Sequence, residues 1–303
     1  MAIPRNQLTL WLCFSSVVLV WGTTWYAIKL QTNGTDPVFS VAIRFALAAA
    51  ILFGLLIATR RKLAVCWNDL PSLLMMGALF FGFNYILAYK GTEYLISGLV
   101  ALVFSVTVIF NLLNEVLFFR KAISAQKVIA ASMGIVGLAL VFHREIAVQS
   151  IDQDLLLGAG FVIAAAWVVS LGNFLAAKIL SNQLPILTLN SYGMLFGAIL
   201  SGTYLLVSNP GFEVVITPSY IWSLLYLAIM GSVLAFALYM QVVKLAGPTS
   251  ASYTSVMFPL VALVVSTFFE AYSWQLLNVA GVILLTIGNI LILKPKTMQP
   301  RKT

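Results

Sequence analysis

The chain has 303 residues, 61% of them hydrophobic and only 9% charged, with a mean hydropathy of +1.02. Soluble domains carry roughly 25% charged residues, so a water-covered globule is excluded and lipid must cover much of the surface. The formal net charge of +8 does not indicate nucleic-acid binding, because Lys and Arg are scattered over short polar breaks rather than gathered into a patch or arm.

In chain order, apolar runs of membrane-spanning length predict an all-α integral membrane protein of ten transmembrane helices, at about 8–29, 37–59, 71–89, 95–119, 125–142, 155–178, 185–207, 219–243, 249–269 and 274–293. Turn-forming segments such as QTNGTDP (31–37), YKGTE (89–93), SNPGFE (208–213) and LAGPTS (245–250) separate them. No cleavable signal peptide is expected, since MAIPRNQLTL leads straight into a full-length run. Arg5, Arg60, Arg61, Lys62, Arg120, Lys121, Lys127, Lys178, Lys244, Lys294, Lys296, Arg301 and Lys302 fall on one side, against Lys29, Lys90 and Arg144 on the other. The positive-inside rule therefore places both termini in the cytoplasm. Cys13 and Cys66 lie in or beside cytoplasmic ends, so no disulfide is expected.

Span 1 ends in VWGTTWYAIK, where Trp21, Thr24, Trp25 and Ile28 share one helical face beside Gly22. That face is expected to look into a cavity, with an outer aromatic belt as the alternative for Trp25. Span 2 carries Arg44, about seven residues in, or roughly 10 Å below the outer boundary at 1.5 Å per residue. A buried Arg there either attracts a substrate carboxylate or phosphate, or is structural, snorkelling or capping helix carbonyls. Span 3 offers Asn84 and Tyr85. In span 4, Thr107, Asn111 and Glu115 follow i, i+4, i+8 spacing, with Asn114 beside them. Glu115 is read either as a group that binds a substrate amine or carries a proton, or as an interfacial carboxylate reaching Arg120 or Lys121.

Span 5 carries Gly134 and Gly137, a close-packing pattern shared by Gly281 and Gly288 in span 10. His143, at its outer end, reads as a loop residue. Trp167 and Asn173 in span 6 and Asn190 and Tyr192 in span 7 are further pathway candidates. Each neutral polar residue alone is also explained by helix–helix contact, while the set indicates a polar central cavity. Ser232 and Tyr239 in span 8 and Ser252 and Ser255 in span 9 extend it. Pro259 is the expected hinge, because it removes a backbone donor and frees a carbonyl. Trp21 and Trp167 are expected to face one cavity as a pair, stacking on flat substrates.

The two halves of the chain resemble each other. GTEYLISGLVALVFSVTVIF (91–110) parallels AGPTSASYTSVMFPLVALVV (246–265); Thr107 and Pro259, like Ala130 and Gly137 with Gly281 and Gly288, stand at an offset of about 151–152 residues. Pro37 likewise parallels Pro185. Five spans is an odd number, so the predicted units 1–147 and 148–303 are inverted repeats that rock about a central site. Thr107 stands where the second half has Pro259, which predicts asymmetric bending.

WGTTWYAIK, P-x₆-RFALAA (37–49), the A-x₇-P of Ala251 to Pro259, PLVALVVSTFFE up to Glu270 and the small-x₆-Gly pairs resemble the drug/metabolite transporter superfamily in its EamA-like branch. The chain departs from that pattern at Thr107, usually proline, and at Arg120, usually glutamate. The resemblance implies a transporter of small organic metabolites in the cell inner membrane, commonly an exporter of amino acids or related compounds, with spans 5 and 10 as scaffold. Since Arg44 recurs in members with unlike substrates, the resemblance favours gating over specificity as its role.

No Walker-A motif, metal cluster or catalytic triad is present in the sequence, and no cofactor is expected. The reading is a secondary transporter of amino acids or similar zwitterions, monomeric or weakly dimeric. Proton coupling, uniport and exchange stay open. The alternatives are a passive facilitator for purines, sugar-nucleotides or drugs, and a membrane-embedded lipid-modifying enzyme.

Overall fold

A computed structural model describes residues 5–31, 34–61, 63, 65–95, 97–119, 124–141, 143, 153–269 and 274–293. Arg120, Arg144, Glu270 and the side chains of Lys29 and Glu115 lie outside the described residues. Among the described residues every regular element is helical: α1 (Arg5–Gln31), α2 (Pro37–Ala58), α3 (Leu70–Gly77), α4 (Asn84–Tyr94), α5 (Ser97–Phe104), α6 (Thr107–Phe119), α7 (Ala125–Val141), α8 (Gln153–Ser181), α9 (Ile186–Ser208), α10 (Pro218–Tyr226), α11 (Ala235–Ala246), α12 (Pro248–Ala251), α13 (Thr254–Phe269) and α14 (Leu276–Leu293). Two π-helical turns, Ala78–Phe83 and Leu227–Leu234, join α3 to α4 and α10 to α11 without a break.

Among the described residues seven helical runs are long and apolar enough to cross a membrane: Asn6–Ile28, Pro37–Ala58, Leu70–Tyr94, Leu156–Ser181, Ile186–Ser208, Pro218–Ala246 and Pro248–Phe269. The remaining predicted stretches carry shorter apolar helices, Thr107–Phe118, Ala125–Val141 and Leu276–Gly288. The run predicted at 95–119 is shortened because the chain turns at Ser105–Val106. The run predicted at 249–269 is also interrupted, at Ser252–Tyr253, while Pro259 sits within α13. Both segments are thus broken, whereas the Thr107/Pro259 difference predicts asymmetric bending. Local hydroxyls stabilise each break: Thr107 Oγ1 donates to the Phe104 carbonyl at 2.6 Å, and Thr254 Oγ1 to the Ala251 carbonyl at 2.8 Å.

Helix starts follow capping chemistry. Pro37 opens α2, and Asp36 Oδ1 accepts from Val38 N at 2.8 Å and Phe39 N at 3.4 Å. Pro218 opens α10, with Thr217 Oγ1 accepting from Tyr220 N at 3.1 Å. Gly247, at φ +84°, makes the turn that lets Pro248 begin α12 immediately after α11.

Tertiary packing exchanges partners between the two halves. α2 lies on α9, α7 on α14, α4 on α8, and α1 on α11 and α13. The α7–α14 crossing is so close that a Cβ on Gly281 would lie 2.5 Å from the Gly137 carbonyl oxygen, and one on Gly137 would lie 2.9 Å from that of Gly281. The glycine pattern is therefore a backbone contact surface, as the sequence predicts. The loop after α1 is clasped to the loop before α10: Thr35 Oγ1 donates to the Val215 carbonyl and accepts from Val215 N, both at 3.0 Å. Asn209 Nδ2 donates to Asp36 Oδ2 at 2.9 Å in the same clasp.

Candidate functional site

The helices enclose a central cavity of about 90 Å³, room for several waters. α1 supplies Trp21, Thr24, Trp25 and Ile28, the face its helical spacing predicts. α2 supplies Arg44. The π-turn and α4 add Phe80, Asn84, Tyr85, Ala88, Tyr89 and Thr92. Phe104 and Thr107 come from either side of the first interruption, Val169 and Asn173 from α8, and Phe236 and Tyr239 from α11. Ser252, Thr254, Ser255 and Phe258 line the wall at the second interruption.

Nine of the 21 lining residues are aromatic. The Trp21 ring lies 5.0 Å from both Phe236 and Tyr239, and Trp25 packs on Phe258 at 5.8 Å. The polar ends are tethered. Trp21 Nε1 donates to the Gly231 carbonyl at 3.1 Å, and the Tyr239 hydroxyl donates to Asn173 Oδ1 at 2.7 Å. The hydroxyls of Ser252 and Ser255 line the cavity, yet they donate to carbonyls of their own segment, Thr249 and Ser252. Their oxygens remain available only as acceptors.

Arg44 is the charged group of this wall, only 1% exposed. Its Nε donates to Ser232 Oγ at 2.9 Å, and Ser232 Oγ in turn donates to the Leu227 carbonyl at 2.9 Å. That carbonyl lies five residues back, inside the π-turn whose widened ladder makes such a bond geometrically available. The guanidinium carbon sits 5.3 Å from the Phe45 ring centre and 5.2 Å from that of Tyr85, close enough for cation–π attraction. Nη1 is buried without a hydrogen-bond partner, and among the described residues no carboxylate forms an ion pair with it. Arg44 therefore neither snorkels nor caps a helix end. It is a buried cation in the cavity wall, with the Tyr85 and Tyr89 hydroxyls in its field.

Of the residues singled out from sequence, the fold brings together Trp21, Thr24, Trp25, Ile28, Arg44, Asn84, Tyr85, Thr107, Asn173, Tyr239, Ser252 and Ser255. Others lie elsewhere. Trp167 is 50% exposed on the outer face of α8, so the expected Trp21–Trp167 pair does not form. Its indole is sited to meet lipid, where an aromatic costs little, and Phe236 and Tyr239 take its place beside Trp21. Tyr192 ties α9 to the loop after α2: its hydroxyl donates to the Leu63 carbonyl at 3.0 Å and its ring meets Phe53 edge-on at 5.1 Å. Asn190 is buried outside the lining, with both amide atoms unpartnered. Asn111, one turn beyond Thr107, is buried in the same way. The backbone of Glu115 continues α6, but its side chain falls outside the described residues. Ser232 is placed as Arg44's seat rather than as cavity wall.

Sequence reasoning missed Tyr89, Phe80, Phe104, Phe236 and Phe258. Tyr89 was findable as the i+4 neighbour of Tyr85. A lone Phe carries no such signal, because lipid and cavity accept it equally.

The EamA-like transporter family model matches twice, over residues 9–143 and 156–294. The chain belongs to the EamA-like transporter family. Among its relatives, the transporter YoaV of Bacillus subtilis (strain 168) is 26% identical over 91% of each chain. Protein PagO of Salmonella typhimurium is 25% identical over 97% of this chain and 95% of its own. The inner membrane transporter YedA of Escherichia coli (strain K12) is 23% identical over 98% of this chain and 96% of its own. A solved crystal structure superposes with a TM-score of 0.76 at 16% identity, covering 92% of this chain and 94% of that one, a likeness of fold alone. This family member is thus a multi-pass membrane transporter, and the cavity at Arg44 is its candidate substrate site.

Proposed function

We propose that the protein is a secondary transporter that carries small zwitterionic metabolites, amino acids foremost, across the cell inner membrane by alternating access, working as an exporter with both termini in the cytoplasm. The observation that carries this reading is Arg44: a buried guanidinium with a free Nη1, facing an aromatic chamber and paired with no carboxylate among the described residues. Burying an unpaired charge is costly, so a carboxylate arriving with the substrate gains an attraction that water would have screened. The aromatic faces suit the apolar remainder of the molecule.

Ten spans in two inverted five-helix units, 1–147 and 148–303, provide the rocking bodies of this mechanism. The reading is supported by the double family match, by a π-turn in each half and by the reciprocal exchange of helix partners. Among the described residues the lining contains no Asp, Glu or His, and the proposed mode is substrate-driven uniport or exchange rather than proton coupling. Counterflow of radiolabelled amino acids in proteoliposomes, with and without a pH gradient, tests both points. Counterflow that ignores the pH gradient is the expected result. Carriage of a purine or sugar-nucleotide with no amino acid carried would overturn the substrate class.

A further inference from the structure

Asn84 closes the π-turn Ala78–Phe83 and begins α4. A π-turn stretches the backbone ladder from i+4 to i+5, which frees a carbonyl from its usual partner. Asn84 Nδ2 donates to such a carbonyl, that of Phe80 four residues back, at 3.2 Å. This bond fixes the orientation of the amide. Its nitrogen end serves the backbone, so its oxygen is the free end. Oδ1 is buried and has no hydrogen-bond partner, on a side chain that is 4% exposed and lines the cavity. The amide is thus built to accept, and the protein supplies no donor.

Among the described residues the other buried lining atoms without a hydrogen-bond partner are Arg44 Nη1 and the Tyr89 hydroxyl, and the guanidinium also acts electrostatically on that hydroxyl. Arg44 can only donate and Asn84 Oδ1 can only accept. We propose that Asn84 Oδ1 is the specificity-determining acceptor for the substrate's ammonium group, set against Arg44 and Tyr89 as donors to its carboxylate, so that the site reads both ends of an amino acid. The inference rests on the zwitterion reading above and adds the residue that separates an amino acid from a plain carboxylate. A carboxylate without an amine leaves Oδ1 buried and unpaired, the situation in which polar sites discriminate most strongly. Aromatic faces in the same wall add cation–π attraction for the ammonium.

Competition against labelled phenylalanine counterflow in proteoliposomes tests this, with phenylalanine, 3-phenylpropanoate and phenethylamine as unlabelled competitors. Wild-type protein is expected to prefer phenylalanine over 3-phenylpropanoate by roughly 10- to 150-fold, the range of a hydrogen bond to a charged group. Asn84→Leu should lose that preference by weakening phenylalanine while leaving 3-phenylpropanoate unchanged. Asn84→Asp keeps an acceptor at the same place and guards against a misfolded Leu variant; there phenethylamine should gain relative to 3-phenylpropanoate. Equal competition by phenylalanine and 3-phenylpropanoate in the wild type overturns the role of Asn84 alone, as does an undiminished preference in Asn84→Leu. Absence of counterflow for both phenylalanine and alanine overturns the zwitterion reading, and this inference with it.

Discussion

Replacing Ser232 by Ala removes one hydroxyl that serves two buried groups. It accepts from Arg44 Nε at 2.9 Å and donates to the Leu227 carbonyl at 2.9 Å, so both partners lose a bond at once. Arg44 is 1% exposed and its Nη1 already lacks a partner, so losing the Nε bond leaves a second donor of the guanidinium unpaired. Each buried polar group left unsatisfied costs about 1–3 kcal/mol. Relaxation of the long Arg side chain recovers part of the total, which leaves about 2–4 kcal/mol. For a chain of this size that lowers Tm by roughly 3–6 °C. Thermal unfolding of the purified protein in detergent measures the shift, and amino-acid counterflow should show a raised KM because the guanidinium is no longer held in place. A Tm within about 1 °C of wild type, together with an unchanged KM, would refute the seating of Arg44 on the π-turn.

Gly281→Ala places a Cβ 2.5 Å from a backbone oxygen that cannot swing aside, and such overpacking costs about 1–3 kcal/mol. Gly54→Ala, whose Cβ meets nothing within 4 Å, should be neutral or slightly stabilising, and the difference in Tm between the two variants checks the α7–α14 contact. Tyr239→Phe keeps the ring beside Trp21 but deprives Asn173 Oδ1 of its donor. Leaving that buried amide oxygen unsatisfied should cost about 1–3 kcal/mol, roughly 2–5 °C in Tm; a Tm within about 1 °C of wild type would show that the pair does not tie α8 to α11.

Much of this arrangement is legible in the sequence because hydropathy and helical spacing are local properties. The face Trp21–Thr24–Trp25–Ile28 lines the cavity as its spacing predicts, and the glycines of α7 and α14 meet backbone to backbone. Orientation of wholly apolar helices is not local. Lipid is as apolar as a protein core, so nothing in α8 distinguishes the lipid-facing Trp167 from a cavity-facing one. The π-turns are hidden for a related reason. ALFFGF and LAIMGSVL read as ordinary apolar helix, and their displaced carbonyls are satisfied by side chains the local pattern does not flag: Asn84, Ser232 and, from 210 positions away, Trp21. Phenylalanines of the lining give no sign either, because the same residue suits lipid.

The most direct test of the account is counterflow by Arg44→Gln and Arg44→Lys in proteoliposomes, with folding checked by size-exclusion chromatography and Tm. Arg44→Gln should fold yet lose transport of carboxylate-bearing substrates by roughly 10-fold or more, and Arg44→Lys, which keeps the charge but not the fork of donors, should recover part of it. A folded Arg44→Gln protein that transports amino acids with wild-type KM and rate would contradict the claim that this guanidinium receives the substrate's carboxylate.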